Sequence, residues 1–519
     1  MGVSRRDFVA MLLGAPFAYA CARRGPARIP PGMLVDTGML RGHALVRDAH
    51  ALPAVPSWRP VRVAIIGGGV AGLSAAWELR RRGVKDVLVL ELDDVHGGTA
   101  RGGESSVTPY PWGAHYIVAP QREHEDLAVL LGAMGAIEGH AADGTPIVDE
   151  ALRCREPEER VWFEGRWWEG LYLEAGANAE DRRQLAAFRK EIDAWVGWRD
   201  AEGRRAFAIP RSTATSEAVV AVLDQQSFAH WLDARGLTSP RLRWLADYAC
   251  RDDYALTADQ TSAWAGIFYF AARQRGPGAP PQTVVTWPDG NAALVRELAR
   301  GAQIEHGLTA VDVDDVTGKV IAVAADGGVV GFECEDIICC VPRFVANRLV
   351  RGRRGQAHGD YGAWAVANVH LRSRPIERGR GAPPAWDNVF RDSPSLGYVC
   401  ATHQRGRDRG PTVWTWYYAF ADHDAAAVRT RLAGAGYDEW AEVVLADLER
   451  AHPDVRDHVE RIEIAFWGHG MIRPRVGSLF GIDRGAVGRV RFAHTDLSGV
   501  ALFEEAFDHG LRAAREVAS

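Results

Sequence analysis

The clearest apolar run along the chain extends from Val61 to Ile66 and is broken only by Arg62. A continuous run with no period-two alternation predicts a strand buried on both faces, as in a parallel sheet. It passes directly into Gly67-Gly68-Gly69-Val70-Ala71-Gly72, and the apolar spacing then predicts a helix over Leu73 to Arg82, stopped by Gly83. A second short run, Val87 to Leu90, ends in Glu91. Further on, helical patterns cover Arg182–Gly197, Ser227–Arg235, Arg241–Cys250, Gln260–Arg273 and about Tyr437–Ala451. Trp364–Leu371 is an apolar strand pattern and Thr412–Phe420 an aromatic one. Ile462–Phe466 leads into a polar strand-to-turn, Trp467 to Pro474. Val490 to Asp496 ends as a strand in an acid, and a helix is predicted from Phe503 to Val517.

The first strand, helix and second strand make a βαβ unit with G-x-G-x-x-G at its first turn. Gly67 permits the tight turn, Gly69 lets backbone approach a pyrophosphate, and Gly72 lets helix and strand pack closely. The helix N-terminus presents unbonded N–H groups and a positive dipole end to phosphate. Glu91 stands where a carboxylate accepts from ribose hydroxyls. These residues predict a dinucleotide site but do not choose between NAD and FAD.

Beyond Glu91 the chain reads Asp93-Asp94-Val95-His96-Gly97-Gly98-Thr99-Ala100-Arg101, then Trp112-Gly113-Ala114-His115-Tyr116. Trp287-Pro288-Asp289-Gly290-Asn291 opens another helix, and Gln303 to Val311 and Cys334 to Pro342 follow as β-patterns. In these segments, taken in order, the sequence resembles the flavin-containing amine oxidase superfamily. The resemblance implies FAD as cofactor. It places Gly97 and Gly98 along the FAD, with Arg101 two residues beyond the position where the family carries arginine. It implies cofactor contacts from Gly113, Ala114 and His115 and an adenine contact from the Leu308 backbone. Asp496 would bind the ribityl–phosphate region, and Phe503 would meet the flavin pyrimidine at a helix N-terminus. The fold implied is α/β, an FAD-binding Rossmann-like domain (60–120, 285–350, 475–519) interleaved with an α+β substrate-binding domain (121–284, 351–474).

In the family the segment before the last FAD motif passes beside the flavin, so Trp467, His469 and Met471 are expected there, with His469 and Trp467 as catalytic candidates. A neutral imidazole at His469 would suit a general base. Many amine oxidases carry a lysine beside the flavin. Only three lysines occur, Lys85, Lys190 and Lys319, and by position Ala367 stands in that place. A cage aromatic near the last helix falls on Leu502. The aromatic face Trp264, Phe268, Tyr269 and Phe270 fits either core packing or a pocket wall. Three functions follow: oxidation of a small amine or amino acid by hydride transfer to the flavin, desaturation or isomerisation of an apolar isoprenoid or lipid, and flavin binding without catalysis. The electron acceptor, oxygen or a respiratory carrier, is not legible.

A net charge of -6 and a pI near 6.3 argue against nucleic acid or an anionic membrane as partner. Seven cysteines occur without CxxC or Cys/His ligand spacing, so no metal site is expected. Ser4-Arg5-Arg6-Asp7-Phe8 resembles a twin-arginine export signal, and Val9–Ala20 is shorter than the roughly 20 apolar residues a bilayer span requires. Ala18-Tyr19-Ala20 fits a cleavage site, and Cys21 stands where a lipid anchor would attach. A signal peptide over 1–21, a peripheral linker over 22–59 and a periplasmic or otherwise extracytoplasmic location are therefore expected, with no transmembrane span.

Overall fold

The computed structural model describes residues 29–39, 41–43, 54–281, 283–356, 359–377 and 381–519. The signal-like segment 1–21, with Cys21, lies outside the described residues. No helix among the described residues is long and apolar enough to cross a membrane.

Two sheets organise the chain. At the centre of the first is Trp58–Ile66, flanked in parallel by Val87–Leu90 on one side and Val329–Cys339 on the other. Gln303–Glu305 extends it past Val87–Leu90, and Val490–Phe492 lies parallel to the end of Val329–Cys339. Val63, Ala64 and Ile65 are wholly buried, which is why this run carries no alternation. The helix Val70–Arg81 begins three residues earlier than predicted, because Gly69 is its N-cap and the last turn of the glycine loop is its first turn. It packs tightly against the last helix, Phe503–Ala518: a Cβ on Gly510 would lie 2.3 Å from the Ala71 carbonyl oxygen.

The second sheet has eight strands, in the order Gly32–Val35, Val459–Ile472, Tyr361–Leu371, Thr412–Ala419, Gly397–Cys400, Asp387–Phe390, Glu159–Phe163 and Arg166–Glu169. Every residue of Tyr361–Leu371 is buried. Ala363, Ala365 and Ala367 face Trp440, Val444 and Leu445 of the helix Tyr437–Leu448, whereas Trp364 and Val366 face the cavity between the sheets. The helices Ala179–Gly197, Phe228–Asp233, Pro240–Tyr254 and Ala263–Ala271 form a separate apolar layer. Trp264 and Phe268 belong to that core and do not line the cavity, so packing explains the aromatic face.

Two expectations are corrected. The segment expected as a peripheral linker supplies Gly32–Val35, the edge strand of the second sheet, which pairs in parallel with Ile462–Ala465. Four residues among prolines and glycines carry no period of their own, so this strand exists only through its distant partner. The polar stretch after Phe466 is not a turn but continues the strand Val459–Ile472. Cross-strand partners Trp364 and Gly362, opposite Trp467 and Met471, hold it extended.

Candidate functional site

Between the two sheets runs a cavity of about 550 Å³. At one end lie the glycine loop, Glu91 to Asp93, and Leu308 to Ala310; at the other lie Tyr248, Asp252, Asp387 and Tyr417. The cradle is built for close approach. Gly67 has φ +101°, and a Cβ on Gly72 would lie 1.9 Å from the Gly67 carbonyl oxygen. Around Gly69, which lines the cavity, an added Cβ would meet nothing within 4 Å. Gly69 is thus not required by packing, and the open space above it is what a pyrophosphate needs. No side chain caps the helix Val70–Arg81, so its first N–H groups remain for phosphate oxygens. Gly97 and Gly98, at φ +112° and +58°, bring a second loop against the first, with Gly97 N–H donating to the Gly68 carbonyl at 2.8 Å.

Glu91 is oriented by backbone: its carboxylate accepts from Gly68 N–H at 2.8 Å and Asp93 N–H at 2.9 Å. Each oxygen keeps a further lone pair for a ribose hydroxyl. Burial raises its pKa, opposed by those two N–H groups. Three buried polar atoms lack a protein partner, Thr309 Oγ1, Asn291 Oδ1 and Trp364 Nε1, and all three residues line the cavity. Buried polar atoms are rarely left unpaired, so the cavity fits a long polar ligand such as a dinucleotide.

The segment 113–118 forms the middle wall. A Cβ on Gly113 would stand 2.2 Å from the Thr99 carbonyl oxygen, and Ala114 N–H donates to that carbonyl at 2.9 Å. The Tyr417 hydroxyl donates to the Gly113 carbonyl at 2.9 Å, and Asn291 Nδ2 to the Tyr116 carbonyl at 2.9 Å. His115 lies among the rings of Tyr417, Tyr116 and Trp386, at 4.9, 5.2 and 5.3 Å. Burial lowers its pKa to about 4, so it is neutral near pH 7. Phe503 lines the cavity at the start of the last helix, whose N-terminus no side chain caps.

Two expected cofactor contacts are placed differently. Arg101 does not line the cavity; its guanidinium pairs with Asp93 at 3.0 Å and donates to the Asp36 carbonyl at 3.2 Å. Asp496 also stands behind the wall, its carboxylate accepting from Arg343 N–H at 2.7 Å and the Tyr361 hydroxyl at 2.5 Å. His494 and Thr495, just before it, line the cavity instead. Leu308 lines the cavity, and its N–H donates to the Glu91 carbonyl at 2.8 Å.

Trp467, His469 and Met471 alternate along one strand and all line the cavity. The Trp467 indole N–H donates to the Trp112 carbonyl at 2.8 Å, and its ring lies under Arg101 at 5.0 Å, which makes it a wall. His469 stacks on Phe344 at 4.2 Å, with Tyr361 and His43 each at 6.0 Å. Ala367 faces away from the cavity, and Val366 is the neighbour that faces in. None of the three lysines lines the cavity.

The far end is acidic, which the sequence pattern did not reveal. The helix Pro240–Tyr254 runs four residues past its predicted end and carries Asp252 and Asp253 into the site. Asp253 is held by Arg273 Nη2 at 2.7 and 2.9 Å. Asp252 and Asp387 line the cavity, and neither forms an ion pair among the described residues. Burial raises Asp252 to about 7, with Asp253 adding repulsion and Arg273 opposing it. Burial, then Asp252 and Glu159, pushes Asp387 well above the carboxylate range. Glu159 rises to about 8 by burial and then Glu158, and Glu158 to about 7 by burial and then Glu156. Burial keeps the phenols of Tyr116, Tyr248 and Tyr417 protonated around them.

Residues 65–131 match the NAD(P)-binding Rossmann-like domain family. No curated protein matches the chain in sequence. Among solved structures, wild-type putrescine oxidase bound to putrescine superposes with a TM-score of 0.63 at 18% identity, over 89% of this chain and 99% of that one. Cyclohexylamine oxidase from Brevibacterium oxydans gives 0.61 at 17%, over 88% and 98%. A fatty acid isomerase from P. acnes that produces CLA gives 0.60 at 17%, over 88% and 98%. The chain therefore shares the α/β fold of putrescine oxidase and cyclohexylamine oxidase, with a Rossmann-like dinucleotide domain beside a second sheet.

Proposed function

We propose that the protein is an exported FAD-dependent oxidoreductase whose substrate is a small amine without a carboxylate. The observation that carries this reading is the pair Asp252 and Asp387, carboxylates that line the cavity and form no ion pair among the described residues. Half-buried carboxylates without a counter-charge are costly, and a cation arriving there relieves that cost. Tyr116, Tyr248, Tyr417 and neutral His115 surround the position with aromatic faces, which also favour a cation. Arg273, which would otherwise hold an amino acid's carboxylate, is bound by Asp253.

FAD bound in the cavity supplies a two-electron sink that accepts hydride at N5. The chain's own residues hold and deprotonate the substrate. Asp252 and Asp387 bind the ammonium group, and Asp252, near 7, is matched to accept its proton and leave the neutral amine that can donate hydride. Trp364, Val366 and Trp467 wall the site and exclude water. The twin-arginine-like N-terminus supports export with the cofactor already bound.

The test is anaerobic mixing of the purified yellow protein with amines, amino acids and unsaturated lipids in turn. Bleaching by amines alone is expected. Bleaching by a lipid would move the protein to the isomerase class, and a colourless protein that takes up no FAD would overturn the reading. Reoxidation with and without oxygen then identifies the acceptor.

A further inference from the structure

We infer that residues 30–39 and 41–43 form a strap that retains the dinucleotide, with Arg41 as its latch; this rests on the FAD reading above. The near anchor is in the second sheet. Gly32–Val35 pairs with Ile462–Ala465, the Tyr437 hydroxyl donates to the Pro30 carbonyl at 2.7 Å, and Thr37 Oγ1 donates to the Phe466 carbonyl at 3.1 Å. The fit is close: a Cβ on Gly32 would lie 1.8 Å from the Ile462 carbonyl oxygen.

From there the segment crosses the cavity, which Thr37, Gly38, Met39, Gly42 and His43 line. The far anchor is at the adenine end. Arg41 Nη1 donates to the Leu92 carbonyl at 3.2 Å, and Nη2 donates to the carbonyls of Gly307 and Val323. Leu92 follows the ribose acid Glu91, and Gly307 precedes Leu308 of the adenine wall. One guanidinium thus ties the strap to the loops beside both Glu91 and Leu308, a geometry its planar fork suits and an ammonium does not. Arg101 adds a lateral tie by joining Asp93 to the Asp36 carbonyl. A ligand lying between Glu91 and Trp467 is crossed by the strap and cannot leave on that side unless the strap lifts.

The experiment follows the rise of flavin fluorescence after diluting holoprotein, for the full chain and its variants. Arg41→Ala should speed FAD release about 10-fold or more, with Arg41→Lys intermediate, while the melting temperature of the FAD-free protein moves little. Gly468→Val is the second variant. Its Cβ would stand 2.8 Å from Met39 Sδ and displace the strap without touching Arg41, so it should speed release in the same way. Unchanged release in both variants from a yellow protein would overturn the strap alone. A wild-type protein that holds no FAD would overturn both readings.

Discussion

At the scale of single residues, two substitutions separate packing from chemistry. Gly69→Ala adds a methyl group where the protein has only open space. It should leave the melting temperature of the FAD-free protein unchanged yet weaken FAD binding about 10-fold or more, measured by titration of that protein. Gly113→Ala, aimed at the Thr99 carbonyl, should damage both. Asp252→Asn should keep FAD and lower kcat/KM for amines about 10- to 100-fold. The sign of the pH effect follows from the raised pKa. Asp252 gains its charge as pH rises through about 7, so kcat/KM climbs through that window, and the climb should vanish in Asp252→Asn. The cradle was legible because glycines and an acid at fixed spacing have few other uses. Asp252 and Asp387 were not legible, since an acid at a helix end or strand start usually faces water, and only the tertiary fold brings these two together in a cavity.

At the scale of elements, the βαβ unit and the last helix were readable because long apolar runs and 3.6-residue spacing survive any tertiary context. The strand Val459–Ile472 was half readable. Its polar second half looks like a turn until Tyr361–Leu371 is laid beside it. Asp496 drew attention as an acid after a strand, but it accepts from Tyr361 and Arg343 behind the wall, and sequence gives no sign of which way a carboxylate turns. The crossing of helices Val70–Arg81 and Phe503–Ala518 yields a prediction of its own. Gly510→Val should cost about 1–3 kcal/mol by overpacking against Ala71 and Ser74, seen in a thermal melt. Because the last helix aims its N-terminus at the cavity, FAD affinity should fall with it.

At the scale of the whole molecule, the acid end should set how stability varies with pH. Asp252, Glu158 and Glu159 titrate at about 7, 7 and 8 in the folded protein, above the ordinary range of about 4 for unfolded carboxylates. The folded state therefore binds these protons more tightly, and their contribution is lost as pH rises from about 4 through 8. The melting temperature should fall from pH 5 to pH 9. Asp387→Asn should flatten that fall and raise the melting temperature at pH 8, while losing amine turnover. The edge strand Gly32–Val35 carries a different consequence, one of time. Its partner does not exist until residue 465 has been joined to the growing chain. A strand made about 430 residues before its partner is among the last to find its place, and the cavity lacks that side through most of the synthesis between them.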